Sequence, residues 1–458
     1  MTVWLLIFLW AAANAAVDRQ SVRDSIISAV TGADAPIHEV AITKFGARGD
    51  SATDCHLAFQ KAMRYASKQK GGVRLIVPRG VWLLRGPIHF VSGVWLELQA
   101  GATLKFVAEP RYYLPVVNTS WEGTFLWNYS PFIYGYGLHD VAIVGSGSID
   151  GDAAHTFCTW SALQKSDQML SREWNHQCKP VSERLFGDGH HLRPQLIQFY
   201  GCKRVTLKDF YVHRAPFWCI HLLQCSNIKV SRVHCHARLT NNDGIDLESS
   251  RGAVIDGVEF DSGDDNIAIK SGRDNDGWRL AGASRDIVIR NCRFKGLHGV
   301  VIGSEMSGGV ENVYVEDCSY AGYVKRGIFV KTNPDRGGYV RNLFVNNVRF
   351  GEVLDLFYVT SMYAGQGLAN NHYSQIENIH VDTLIARNVA GTALVLQGTP
   401  QCPVRDVSFA HVDVQNVARG VSFEFTEPVK MQNCFLGQKV MVPSVASEKD
   451  KIFEKNNL

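Results

Sequence analysis

With 458 residues, 46% of them hydrophobic and 20% charged, the chain carries enough apolar material for a large core and is too hydrophobic to be disordered. Its 47 Lys and Arg against 44 Asp and Glu leave a formal charge of +3 with no basic stripe, so composition gives no support for nucleic-acid binding. Forty-one Gly against 14 Pro point to many tight turns, and therefore to a turn-rich β protein rather than a helical bundle.

At the N-terminus, Trp4 to Leu9 form an apolar stretch, followed by an alanine-rich run ending Ala13-Asn14-Ala15-Ala16. This pattern predicts a signal peptide over residues 1–16, although no Lys or Arg precedes it, and with it a secreted or periplasmic address. No later run reaches the roughly 18 apolar residues that a membrane span needs. The mature chain is then a single domain over residues 17–458. Its first part, residues 17–70, holds Leu57, Ala58, Ala62, Tyr65 and Ala66 at helical spacing after a cap at Thr53 or Asp54. An amphipathic helix over Thr53–Lys70 is expected to close one end of the fold.

Short strands follow at Val73–Val77, Val81–Leu84 and Gly93–Leu98, separated by Pro-Arg-Gly and Gly-Pro turns. Asn118-Thr119-Ser120 and Asn128-Tyr129-Ser130 are glycosylation sequons if the source is eukaryotic. Residues 152–192, polar and rich in His, Trp and Gln, form a surface insertion. Within it Cys158 and Cys178 are candidates for a loop disulfide. Cys292 and Cys318, at equivalent positions of two repeats, are expected to be small buried residues stacked on one another. Eleven cysteines cannot all pair internally, and no zinc spacing is present.

The repeat carries the fold. A polar or turn residue followed by apolar-x-apolar recurs at Val141, Val205, Ile228, Ala253, Ile287, Val313, Leu343, Ile379 and Val407. After the first interval, these positions are separated by 23 to 36 residues. One such unit cannot bury its apolar face alone, whereas a stack buries a continuous interior. The pattern predicts an all-β fold, a single-stranded right-handed parallel β-helix with an N-terminal helical cap. A β-sandwich gives no reason for coil-length repetition.

Three segments gather acidic residues where strands give way to turns: Asn241-Asn242-Asp243-Gly244-Ile245-Asp246, Ser262-Gly263-Asp264-Asp265-Asn266, and Leu297-His298-Gly299-Val300. Similar offsets in neighbouring coils, spaced about 4.8 Å, bring Asp243, Asp264, Asp265 and His298 to one patch. Adjacent carboxylates raise at least one pKa and so generate an acid and base pair, and neighbouring coils allow the separation that inverting glycoside hydrolysis requires. Each motif alone would be an ordinary turn, but three in register are not. Calcium held by Asp243, Asp246, Asp264 and Asp265 is the rival reading. His298 and Lys331 beside them do not suit it, so no metal or other cofactor is expected.

With these motifs the chain resembles glycoside hydrolase family 28, the polygalacturonases. The matching residues are Asn241-x-Asp243-Gly244-x-Asp246, Gly263-Asp264-Asp265-x-Ile267-Ala268-Ile269-Lys270-Ser271-Gly272, His298-Gly299 leading into Ile302-Gly303-Ser304, and the opening Phe45-Gly46-Ala47-x-Gly49-Asp50. The resemblance implies metal-free hydrolysis of α-1,4-galacturonosidic bonds with inversion. By position, Asp264 matches the general acid, Asp243 and Asp265 the pair that activates water, and His298 the histidine supporting the acid. Asn241, Gly299, Lys331 and Arg326 complete the expected substrate-binding set. Lys331 matches the lysine of an Arg-Ile-Lys motif, but Phe329 stands where that motif has its arginine, a bidentate task that Phe cannot copy. Arg326, Arg336 and Arg273 are the candidates to replace it.

Trp121-Glu122-Gly123, Ala215-Pro216-Phe217-Trp218, Gly303-Ser304-Glu305-Met306-Ser307-Gly308-Gly309 and Lys331-Thr332-Asn333-Pro334-Asp335-Arg336-Gly337-Gly338 are similar to exo-acting bacterial members. In that reading the 152–192 insertion walls off one end of the groove, and the partner is a pectic polysaccharide or oligogalacturonide met by a monomer. The alternatives are an α-glycosidase acting on rhamnogalacturonan or another uronate oligosaccharide, a calcium-dependent lyase, and a non-catalytic polysaccharide-binding β-helix.

Overall fold

The computed structural model describes residues 19–364 and 371–437, so the expected signal segment 1–16 lies outside the described residues. Twenty-nine strands join into one sheet, and every pairing within it is parallel. The chain winds as a parallel β-helix. One ladder runs through Ile88, Ile133, Ile197, Ile220, Ile245, Ile267, Val300, Ile328, Phe357, Leu394 and Val421, each in register with the next. A continuous apolar interior extends from Val40 to Val417, and each fully buried aliphatic side chain in it contributes about 1.5–3 kcal/mol.

The nine repeat positions read from the sequence form a second ladder, Val141 to Val407, in register throughout. The residue before each of them, at 140, 204, 227, 252, 286, 312, 342, 378 and 406, has a left-handed backbone. Asn and Asp fill most of these positions because their short polar side chains tolerate that conformation. Asn342 donates to Asn312 at 2.7 Å and Asn312 to Asp286 at 2.8 Å, so the turn residues also bond from coil to coil. Cys292 and Cys318 are buried and in side-chain contact, the stack expected of them.

The cap helix is present but shorter than the spacing suggests, α2 at His56–Ala66. Ala58, Phe59, Ala62, Met63 and Ala66 join the core, whereas Leu57, expected on the apolar face, is exposed. A second helix, α1 over residues 19–29, was not anticipated. It lies along the outside of the repeat sheet, where Ile26 and Val30 pack on Val254, Val288 and Tyr314, and Arg23 pairs with Glu316 at 2.8 Å. Among the described residues no helix is long and apolar enough to cross a membrane.

Two sequence expectations fail, one at the insertion and one before it. Cys158 and Cys178 are unpaired: the 12-residue helix α3, Lys165–His176, separates them by about 18 Å of helix, and Cys158 sits instead against the Ala215 carbonyl. Asn128 is buried and donates to the Leu192 carbonyl at 3.0 Å, so the folded chain offers no sugar acceptor there.

Candidate active site

The strand Ile245–Glu248 pairs with Glu259–Lys270, and that strand in turn with Gly296–Gly303 and then Ser319–Lys331. Just before the ladder isoleucines, register places Asp265 opposite His298, His298 opposite Arg326, and Arg326 opposite Asp355. The Gly244 amide donates to the Asp265 carbonyl at 2.9 Å, aligning Asp243 with the same row. Asp243, Asp264, Asp265 and His298 therefore meet at one place, as the coil offsets require.

Their charges are arranged unequally. Asp265 Oδ1 accepts from His298 Nδ1 at 2.8 Å and Asp265 Oδ2 from Lys331 Nζ at 3.0 Å. Burial opposes ionisation of Asp265, but Lys331 and His298 outweigh it and hold the carboxyl well below the usual carboxylate range. Asp264 is pushed the other way, by burial and then by the Asp265 charge. Its side chain keeps 20% exposure and accepts from Asn241 Nδ2 at 3.1 Å, so it is the carboxyl of the pair that a ligand can reach. Asp243 is raised far above the ordinary range, by burial and by Asp246, Asp264 and Asp265. Burial lowers the His298 pKa against the pull of Asp265. A neutral imidazole giving its Nδ1 proton to Asp265 leaves Nε2 as an acceptor, and that atom has no protein partner.

Asp264, Asp265 and His298 offer ligand atoms within 4.8 Å of one another. Each oxygen of Asp265 already accepts one hydrogen bond, one of them from an ammonium group, so a cation here would meet the repulsion of Lys331. Asp246, in the calcium rival set, faces the Lys270 ammonium at 3.9 Å.

Phe329 lies in register between Val301 and Tyr358. Its ring is flanked by two cations: the Arg326 guanidinium 4.9 Å and the Lys331 ammonium 5.4 Å from its centroid. Arg326 also lies 4.4 Å from the Tyr358 centroid, and its Nε is 3.5 Å from Asp355. Arg336 and Arg273 are not solvated surface charges. Both are buried, paired with Asp274 at 2.9 Å and Glu305 at 2.7 Å. Gly299 is also buried, and a Cβ there would fall 2.2 Å from the Gly327 carbonyl and from the Tyr320 ring. Close packing therefore requires a glycine at position 299.

Two groups escaped the sequence reading. Arg193 is fully buried and holds Asn241 Oδ1 at 2.6 Å and the Thr240 carbonyl at 2.9 Å, so it orients the loop that meets Asp264. Lys270 bonds Glu305 at 3.2 Å beneath Asp246. Lys270 stands in the Gly263–Gly272 motif, where residue type alone assigns it no role, and Arg193 carries no local signal.

Beside this floor stands a second structure. The hairpin of Val117–Trp121 and Thr124–Asn128 turns at Glu122-Gly123, both with positive φ, the two-residue loop that matches strand twist. A Cβ on Gly123 would meet the Arg273 amide at 2.8 Å. The hairpin packs on α3 through Gln168 and Arg172, which both bond Glu122, and on α4, Asp274–Arg279, through the Phe125 amide to Asp276. Arg184 and Asp276, both buried, bind at 2.5 and 3.1 Å. Trp121, Leu126, Phe186, Leu192, Phe217 and Trp218 form its apolar centre. Trp121 stacks on Phe217 at 5.1 Å, and Asn242 donates to the Phe217 carbonyl at 2.9 Å. The block thus abuts the Asp243 loop directly.

The family model for glycosyl hydrolases family 28 matches residues 91–434. The chain belongs to this family. It is a glycoside hydrolase with polygalacturonase relatives, as the resemblance implied. A probable polygalacturonase of Vitis vinifera is 29% identical over 407 residues, covering 85% of this chain and 77% of the relative. An endo-polygalacturonase of Pectobacterium carotovorum is 26% identical, covering 69% and 74%. Among solved structures, a hyperthermoactive exopolygalacturonase from Thermotoga maritima superposes with a TM-score of 0.84 at 35% identity, covering 90% of this chain and 96% of that one. The proteins to which this chain is similar thus include both an endo- and an exo-acting polygalacturonase.

Proposed function

We propose that this family 28 enzyme is an exo-acting, inverting hydrolase that releases galacturonate from the ends of pectic chains by cutting α-1,4-galacturonosidic bonds. The carrying observation is the opposed electrostatics of one adjacent pair: a reachable Asp264 with a raised pKa beside an Asp265 held ionised by Lys331 and His298. Asp264 gives its proton to the departing glycosidic oxygen as that bond breaks, and Asp265 accepts the proton of the attacking water. Asp243, whose carboxyl is also pushed well up by burial and its acidic neighbours, orients that water in the resting enzyme rather than sharing the base role equally. His298, with Nδ1 2.8 Å from Asp265 and 3.7 Å from Asp264, helps hold the base carboxylate ionised beside the acid.

Exo action is supported by the block of hairpin, α3 and α4, which stands against the Asp243 loop where a longer chain would continue. Arg326 and Lys331, on either side of Phe329, supply the positive charge that a uronate needs on the leaving side, and Asn241 binds beside the acid. Export with removal of residues 1–16, a single β-helix domain over residues 17–458, and a monomeric state complete the proposal. An aromatic leaving side of Phe329 and Tyr358 also favours a second reading, an α-glycosidase for rhamnogalacturonan or another mixed uronate oligosaccharide.

The test is the proton NMR spectrum of fresh products from de-esterified homogalacturonan, beside rhamnogalacturonan. Inversion at an α-linkage releases the β-anomer first. Initial release of the α-anomer, or an unsaturated product, would overturn the mechanism, and cleavage of rhamnogalacturonan alone would favour the second reading.

A further inference from the structure

The strand His234–Ala237 turns Cys235 into the core and carries His234 and His236 on its outward face. On the next coil Glu259 is in register with His234 and Asp261 with His236; on the preceding coil Tyr211 and His213 hold the same places. The His234 ring is fixed from two sides, stacked on Tyr211 at 4.3 Å and with Nδ1 3.2 Å from Glu259 Oε2. The ligand atoms of His234, His236 and Glu259 all lie within 4.8 Å of one another, and the His213 ring is 6.3 Å from that of His236. Metal–nitrogen and metal–oxygen bonds of about 2.0–2.2 Å need donors only slightly closer together, within reach of small rotations of partly exposed side chains. Two imidazoles and a carboxylate favour borderline transition ions over calcium. Arg238 and Lys295 both pair with Asp261 and keep it out of this donor set, while Arg293, 3.7 Å from Glu259 Oε1, is the cation that competes for Glu259 among the described residues.

We propose that His234, His236 and Glu259 form a binding site for a divalent transition-metal ion of the zinc type, with His213 able to close the fourth position. None of these side chains has a part in hydrolysis. Their strands run on into the loops that carry Asn241 and Asp243 and into Asp264 and Asp265, so a bound ion would tie together the two coils on which the carboxyl groups stand.

The experiment is calorimetric titration of zinc sulfate into the full chain carrying Asp264→Asn, which weakens the other close donor group, Asp264, Asp265 and His298. One ion per chain is expected, with a rise in thermal midpoint. His236→Ala should weaken zinc binding more than about ten-fold. His234→Phe, which keeps the ring stack on Tyr211, should melt like its parent without metal and lose the zinc-dependent rise. Absence of zinc uptake, or uptake undiminished in both variants, would overturn the site.

Discussion

The catalytic floor and the block beside it are built on different physics. The floor is periodic: Asp243, Asp265, His298 and Arg326 are adjacent because parallel coils stack in register, and the interior ladder would hold that register whatever the groove carried. The block is aperiodic, assembled from segments as distant as Glu122, Arg184 and Asp276 and held by buried ion pairs around one small apolar centre. Register places charges accurately at little cost, since the backbone ladder exists for other reasons. Buried pairs fix distant segments against one another, and losing one partner leaves an uncompensated charge. In the proposed function the floor decides the chemistry and the block decides where along a chain it happens.

The sharpest separation comes from Asp264→Asn. Activity on galacturonan should fall by at least the roughly 10²- to 10⁴-fold that general acid assistance contributes, with the melting curve unmoved. Retention of more than a few per cent of activity would remove Asp264 from the acid role. The opposite result is expected at the block. Arg184→Met strands the buried Asp276 and should cost about 3–5 kcal/mol, locally, against the block rather than the coils. Limited proteolysis should then cut first within residues 152–192, and oligomers longer than the monomer should appear among products. Cleavage spread evenly along the coils would contradict a separate block.

Smaller effects sharpen the account of the floor. Lys331→Met removes a charge that keeps Asp265 ionised, so the Asp265 pKa should rise and the acidic limb of the turnover profile should move to higher pH. An unshifted acidic limb, with only the Michaelis constant altered, would make Lys331 a binding residue alone. Asp246 is the subtlest case. Burial raises its folded-state pKa, so the stability it contributes is present below the ordinary Asp value of about 3.9 and is lost as pH rises through the folded value. Asp246→Asn has no such proton to lose, and its thermal midpoint should decline less toward neutral pH than the parent's. Parallel curves would show that Lys270 compensates the charge fully.

The same contrast explains what could be read from the sequence. Coil register was legible because each repeat begins after a residue in the left-handed conformation, and Asn, Asp or Gly fills most of those places. Asp243, Asp264, Asp265 and His298 inherit their positions from that register. Helix α1 was missed although its docking surface left a trace: Val254, Val288 and Tyr314 are apolar on a face that other coils give to Thr206 and Lys229. Arg193, Arg184 and Arg336 carry no period, and nothing local distinguishes an arginine that will be buried from one that stays in water. Nor could the sequence show that Arg326, three residues before Phe329, folds its guanidinium over the aromatic ring.

The most direct test of a chemical floor bounded by a block is the time course of product lengths from long de-esterified homogalacturonan. Accumulation of galacturonate monomer from the first minutes, with the polymer shortening slowly, is the predicted result. Early appearance of mixed mid-length oligomers would contradict it.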